Sequence, residues 1–399
     1  MLVASADQGY GDQCQPVGRH QTQLGGGPLS RTVGIEEELF LVDPSTRTPA
    51  PRSQQVLKLV AEHRGTAGDD LDHELFRHQV ETKTPPAGSI AELREVVLAG
   101  RRFAAGAAAA AGLATIASGT VPLAAGKAQV TTDERYAAMV ETFGEIARHG
   151  DTCGMHVHVQ VESPEVGVRV IDQATPWLPL VLALSANSPF HAGHDTGYAS
   201  WRSQSWAQWP SSGPNERFGS LATYREVARR LEQSGAAKDE GMLYFDARLS
   251  ASFPTVEFRV ADVCTDVDDG VLIAALLRAT VTRCVAEMQD DADRADGLSA
   301  TPVWRTDLLR AAKWRAARYG VSERLLDPVT GGLESAPVLL DRFVAILREP
   351  LEVAGDLDLV RDGIARVLAG GGASRQRAAL ERTERMEAVV DDLVERTSH

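Results

Sequence analysis

The segment TVGIEEELFLVD, residues 32–43, alternates with a period of two. Val33, Ile35, Leu39 and Leu41 share one parity; Glu36, Glu38, Phe40 and Val42 share the other. Successive side chains of a strand point to opposite faces, so a strand here has one apolar face and projects two carboxylates from the other. The turn residues Asp43-Pro44-Ser45 stop it.

Two further segments repeat the pattern. In CGMHVHVQV, residues 153–161, His156 and His158 share a face. In PTVEFRVAD, residues 254–262, Glu257 and Arg259 do the same. Valine, isoleucine, leucine or phenylalanine flanks each pair on the parity that would face a core. HELFRHQVETKT, residues 73–84, reads as another strand-like piece ending at Pro85-Pro86. It carries Glu74 and Glu81, whose spacing is odd. One continuous strand puts them on opposite faces, and they converge only if a bulge or turn intervenes.

Taken singly, these motifs are ordinary. E-x-E is most often a solvated face, H-x-H is often structural, and E-x-R is usually a surface pair worth little. Their coincidence is the informative feature. Several carboxylates on one sheet face are costly to bury and repel one another. Divalent cations are the simplest remedy, and hard oxygen ligands with few histidines suit Mg²⁺ or Mn²⁺ better than Zn²⁺. Mg²⁺ held by carboxylates is the usual partner of a triphosphate. If repulsion dominates, alanine at Glu38 or Glu257 leaves the metal-free fold intact or more stable. The two common phosphate loops, G-x-x-x-x-G-K-[ST] and G-x-G-x-x-G, are absent, as is G-x-S-x-G. A metal-dependent hydrolase also fits E-x-E with H-x-H, and predicts activity without ATP.

The remaining chain supplies helices. Ser89 caps a helix, with Glu92 completing a capping box, that runs through an alanine-rich body to Gly112. Helices are expected over Asp133–His149, over 165–187 with interruptions at Pro176 and Pro179, and near Ser220–Ser234. Residues 188–217 read as a long loop containing Trp201, Trp206 and Trp209, whose rings are expected to form its core. A strand-like piece lies around MLYFDARLS, residues 242–250. From Asp266 onward the pattern is nearly all helical, broken at 327–337 and 370–373. Strands with interspersed helices followed by a helical third indicate an α+β fold.

Composition narrows the partners. The 399 residues carry 41 Lys+Arg against 55 Asp+Glu, a formal charge of −14. An acidic chain argues against nucleic-acid binding. Four cysteines (Cys14, Cys153, Cys264 and Cys284) form no C-x-x-C, so reduced thiols are expected. The start of the chain is not secretory, and the most apolar stretch, Trp177–Ala186, is too short for a bilayer, so a cytoplasmic protein without membrane partners is expected. Residues 1–30 read as a disordered leader. The extensive helical surface is compatible with a homodimer.

GIEEELFLVD, QVETKTPP, CGMHVHV, LALSANSPF, DTGYASWR, PTVEFRVADV and WRAARYG occur in order along the chain. Together they resemble the bacterial carboxylate–amine ligases, the type-2 glutamate–cysteine ligases, over about residues 32–372. The resemblance implies a glutamine-synthetase-like fold, a curved antiparallel sheet forming an active-site funnel and covered by helices. It implies one catalytic domain over 31–375 with a C-terminal helix over 376–399. It implies ATP-dependent amide formation from a carboxylate and an amine through an acyl phosphate, glutamate and cysteine being the pair the family name suggests. Other acids or amines, or a metal–nucleotide-binding protein without turnover, are the alternatives.

By position, the resemblance assigns Glu38, Glu74 and Glu81 to one metal, and Glu36, His156 and Glu257 to a second. It brings His158 to the nucleotide phosphates and Arg259 to the transferred phosphoryl group, so Arg259 and Glu257 are the expected catalytic residues. Arg202, in DTGYASWR, could clamp a substrate carboxylate or pair with an acid such as Asp195. Lys83 stands where an apolar or small neutral residue is expected. On a strand it shares the face of Glu81, as a phosphate contact or the sign of a changed substrate. Val121 in SGTVPL and Leu249 after Arg248 also depart from the family pattern.

Overall fold

The structure is a computed structural model that describes residues 31–62, 71–123, 128–149, 152–289 and 297–398. The leader expected over residues 1–30 and Cys14 lie outside the described residues.

In chain order the strands are β1 (Val33–Val42), β2 (Leu71–His73), β3 (Gln79–Lys83), β4 (Ala114–Ile116), β5 (Gly154–Gln160), β6 (Phe190–His191), β7 (His194–Asp195), β8 (Ala247–Leu249), β9 (Thr255–Asp262), β10 (Arg324–Leu326) and β11 (Leu333–Ser335). Seven form one sheet in the order β2-β3-β1-β5-β9-β8, with β4 paired to the far end of β1. Every pairing in it is antiparallel. The remaining four make two small hairpins. The α+β expectation holds.

Alternation sorts the sheet into two faces. Val33, Ile35, Leu39 and Leu41, Met155, Val157 and Val159, and Val256, Phe258 and Ala261 are buried on one. Helices Ile90–Ala110, Pro164–Ala174, Leu178–Ser185 and Val267–Gln289 pack against it. Val267–Gln289 is buried on nearly every side, as its even spread of apolar residues requires. Glu37 shares the core parity of β1 and is 2% exposed. Its charge is met by the fully buried Arg101 of helix Ile90–Ala110, whose Nε and Nη2 donate to its two oxygens at 2.8 and 2.7 Å. Nη1 and Nη2 of Arg101 also donate to the carbonyls of Thr265 and Cys264, so the pair is satisfied on all sides.

Several elements differ in detail from the sequence reading. HELFRHQVETKT is not one strand: β2 ends at His73, residues 74–78 turn, and β3 begins at Gln79. Ser89 does cap helix Ile90–Ala110, but the Glu92 carboxylate reaches back to the Gly88 N–H at 2.8 Å. The Asp133-capped helix breaks at Gly144, whose φ of 58° ends its first part at Phe143. Residues 188–217 contain the β6–β7 hairpin and a helix, Trp201–Trp206, capped by Ser200. The break at 327–337 holds the β10–β11 hairpin. The expected boundary at 375/376 falls inside helix Gly372–Thr383, and a final helix, Met386–Thr397, packs against β4. No helix among the described residues is long and apolar enough to cross a membrane.

Candidate active site

The face opposite the core helices gathers the polar residues through strand register. Glu36 of β1 lies opposite His156 of β5 on one side and Lys83 of β3 on the other. Glu38 faces Glu81, and Glu81 faces Asp72 of β2. Glu257 of β9 sits between His158 of β5 and Arg248 of β8. Directly opposed residues have Cβ atoms about 5 Å apart, so these rows form one polar cluster. The β5–β9 register slips by one between Met155 and Val157, which leaves Arg259 and Val260 together opposite His156. The slip is a bulge, and it brings Arg259 Nη1 to 3.4 Å from His156 Nδ1.

Two sets of ligand atoms lie within 4.8 Å of one another: Glu36, His156 and Glu257, and Glu38, Glu81 and His156. His156 Nδ1 lies 3.3 Å from Glu36 and 3.9 Å from Glu257, while Nε2 is 3.7 Å from Glu38. The first set is the one expected for a second metal. In the second, His156 stands where Glu74 was expected. Glu74 lies on the turn after β2 and lines the same cavity of about 260 Å³, with Glu36, Glu38, Glu81, Lys83, His156, Arg248 and Arg259. The odd spacing of Glu74 and Glu81 is thus resolved by a turn. His158 sits at the margin, 3.6 Å from Glu36, its Nδ1 3.0 Å from the Thr255 hydroxyl.

The electrostatics divide the cluster. At the β1–β9 end, burial would raise Glu36, but His156 and His158 hold it far below the usual carboxylate range. Burial likewise opposes ionisation of Glu257, and Arg259 and Arg248 overcome it. Arg248 donates to Glu257 at 2.8 and 3.1 Å, and Arg259 Nη1 donates to the same carboxylate. Burial pushes His156 down, with Arg259 adding to the effect, so its imidazole stays neutral. The acidic end behaves oppositely. Burial, then Glu36, push Glu81 up to about 8. Burial, then Glu81 and Glu38, push Glu74 well above its ordinary value. Lys83 Nζ is 2.8 Å from Glu81 and 2.9 Å from Asp72.

Carboxylates that burial forces toward protonation, beside a neutral imidazole whose Nε2 is buried without a hydrogen bond, fit a divalent cation. The expectation for Glu257 changes. Its charge is compensated by the buried Arg259 and the half-buried Arg248, so Glu257→Ala strands them and costs stability instead of relieving repulsion.

Arg202 does not make the expected pairing with Asp195. It is 3% exposed and is not among the residues lining the cavity. Its Nη2 donates to the Arg259 carbonyl at 3.3 Å, and Nη1 lies 3.9 Å from Asp262. Asp195 pairs with Arg377 instead. A Cβ on Gly154 would overlap the Arg202 guanidinium, so the glycine is what admits Arg202 to the polar face of β5, where it lies over the Trp206 ring beside the cavity. Trp206 and Trp209 pack with Tyr244 as loop core, and all three also form cavity wall. Sequence reasoning missed Asp72 and the role of Arg248. The alternation in ARLS and the nine-residue hairpin spacing to Glu257 were the available signal for Arg248. Cys153, Cys264 and Cys284 are free and buried, with thiols pushed up by burial, as packing residues should be.

The model of glutamate–cysteine ligase family 2 matches residues 32–396. A protein of a Nocardioides species, provisionally named glutamate–cysteine ligase 2-1, is 50% identical over 375 residues, covering 92% of this chain and 96% of its own. Among solved structures, the bifunctional glutathione synthetase of Pasteurella multocida superposes with a TM-score of 0.64 at 14% identity over 92% of this chain, which spans about half (52%) of that one. The glutamate–cysteine ligase of Francisella tularensis, solved with AMP, superposes with a TM-score of 0.62 at 15% identity, covering 93% of this chain and 89% of its own. At these identities the structural likeness concerns the fold.

Proposed function

This chain belongs to glutamate–cysteine ligase family 2, and from that premise we propose that it is an ATP- and divalent-cation-dependent carboxylate–amine ligase. The supporting observation is the convergence of Glu36, Glu38, Glu81, His156 and Glu257 in two overlapping ligand sets, next to a cavity lined by the first four of them with Glu74 and Arg259.

In this reading Glu38, Glu74 and Glu81 hold one Mg²⁺ or Mn²⁺, and Glu36, His156 and Glu257 hold another. When bound, these cations neutralise the triphosphate and the charge that develops on the transferred phosphoryl group. The protein's own residues do the rest. Glu257 fixes the Arg259 guanidinium, which stabilises the phosphoryl oxygens. His158, at the margin, and Lys83 meet the nucleotide.

The chemistry balances simply. A carboxylate is a poor acyl donor because its leaving group would be oxide. Its oxygen attacks the γ-phosphorus of ATP, the bond to the β-phosphate oxygen breaks, and acyl phosphate and ADP result. The amine attacks the acyl carbon, an amide forms, phosphate leaves and the amine proton goes to solvent. Positioning and charge neutralisation suffice, and no enzyme nucleophile is needed. Glutamate and cysteine are the first substrates to try, because relatives bear that name. The Lys83 substitution favours testing other acids and amines beside them.

The test is incubation with ATP, Mg²⁺ and panels of acids and amines while ADP and phosphate are followed. Glu38→Gln and Glu257→Gln, which keep side-chain volume, should each lower ATP turnover by about 100-fold or more. AMP and pyrophosphate as products would overturn the acyl-phosphate route. Nucleotide binding with no turnover across the panel would favour a binding protein.

A further inference from the structure

The two ends of the polar cluster hold their resident cations in different ways. At the β9 end, Arg248 is immobilised. Besides Glu257, its Nη1 donates to the carbonyls of Glu240, Gly241 and Leu243 at 3.2, 2.7 and 3.3 Å. At the acidic end the partners of Lys83 among the described residues are carboxylates, and its side chain is 40% exposed. Its ammonium bridges Glu81, whose side chain is 9% exposed, and Asp72, which is 54% exposed. Asp72 is the register partner of Glu81 but does not line the cavity.

We infer that Lys83 is a tethered counter-cation that must leave Glu81 before that carboxylate can hold a divalent ion, and that Asp72 is the perch that receives it. Lys83 is a positioning residue acting through Glu81. A Mg²⁺ ion sits about 2.1 Å from a carboxylate oxygen. An ammonium 2.8 Å from the same carboxylate would place a third positive charge beside it. Repulsion at such distances is poorly screened in a half-buried site. Lysine is a point charge on a flexible stem, so it can change partner without moving the strand. When a divalent ion displaces the Glu81 proton, a shift of Lys83 toward Asp72 keeps one salt bridge and frees the carboxylate. Arg248 has no such freedom and stays on Glu257, so of the two ions it is the one held with Glu38, Glu74 and Glu81 whose binding Lys83 controls.

This inference rests on the ligase reading only in that the cluster takes divalent cations. The experiment is a Mn²⁺ titration of the full chain without nucleotide, read by electron paramagnetic resonance and calorimetry. The wild type should bind Mn²⁺ in two classes. Lys83→Met should tighten one class by about tenfold and leave the other unchanged. Lys83→Arg, which keeps the charge, should stay near wild type. Asp72→Asn, on an exposed strand, removes the perch and should weaken that same class by several-fold; it keeps the test open if Lys83→Met fails to fold. Unchanged or weakened Mn²⁺ binding in Lys83→Met overturns the inference alone, as does an indifferent Asp72→Asn. Folded wild type that binds no Mn²⁺ overturns the metal reading and this inference with it.

Discussion

Glu81 shows at the residue scale what the site costs the metal-free protein. Its carboxyl is pushed up to about 8 by burial and by Glu36, against an ordinary value of 4.5. The native state therefore keeps a proton that the unfolded chain releases above about pH 4.5. Stability that this group supplies below pH 4.5 is lost as the pH rises through 8. In chelator, the unfolding free energy should fall between pH 5 and 8, by on the order of 3 kcal/mol from this group. Glu81→Gln mimics the protonated form and should flatten that slope. Saturating Mg²⁺ should flatten it too, because a bound cation favours the ionised carboxylate. Urea unfolding of both proteins across this range decides it, and an equal slope in Glu81→Gln would refute the assignment. Much of this scale was legible in the sequence. The parity of Glu36, Glu38, His156, Glu257 and Arg259 specified which side chains share a face. The charge state of each was not legible, since it depends on neighbours from other strands.

At the scale of elements, register made the site, and register is what alternation leaves undetermined. The pleat fixes which residues share a face, but not which strand lies next or at what offset. The β5–β9 bulge that leaves Arg259 beside Val260 opposite His156 has no sequence signal here, and neither does the turn that lets Glu74 approach Glu81. The same pleat explains Glu37, the middle residue of EEE, which points into the core with Arg101 as its counter-ion. Removing one partner of such a pair strands the other, so Arg101→Met should cost about 3–5 kcal/mol. Glu37→Met combined with Arg101→Met should recover part of that, and the carbonyls of Cys264 and Thr265 left without a donor set the remainder. A double-mutant cycle by chemical denaturation measures the coupling. Additive losses would show that the pair is not a unit.

The whole molecule is closed by its C-terminal helices. The expectation of a helical final third was correct because a period near 3.6 is visible along one segment. Its relation to the sheet was not, because that contact joins residues more than 250 positions apart. Val389, Val390 and Leu393 of helix Met386–Thr397 are buried in the main core. The Thr397 hydroxyl accepts from the Ala117 N–H at 2.9 Å, and its carbonyl accepts from Arg101 at 3.3 Å. Arg396 is bidentate to Asp266, which also pairs with Arg375. Arg101 carries this contact through Glu37 to β1, the strand that presents Glu36 and Glu38. Deleting residues 386–399 therefore opens the core beside β4 and removes one carbonyl partner, that of Thr397, from the arginine that steadies the metal-binding strand. Burial of three aliphatic side chains is worth about 1.5–3 kcal/mol each, comparable in sum to the stability of a whole domain. The truncated chain should lose its cooperative thermal transition and its Mn²⁺ binding together. Thr397→Val, which removes only the hydroxyl, should lower stability by about 1–2 kcal/mol and leave Mn²⁺ affinity unchanged. A truncated protein that melts at the wild-type temperature would show that the final helix is an appendage, and calorimetric scans of the three proteins distinguish the cases.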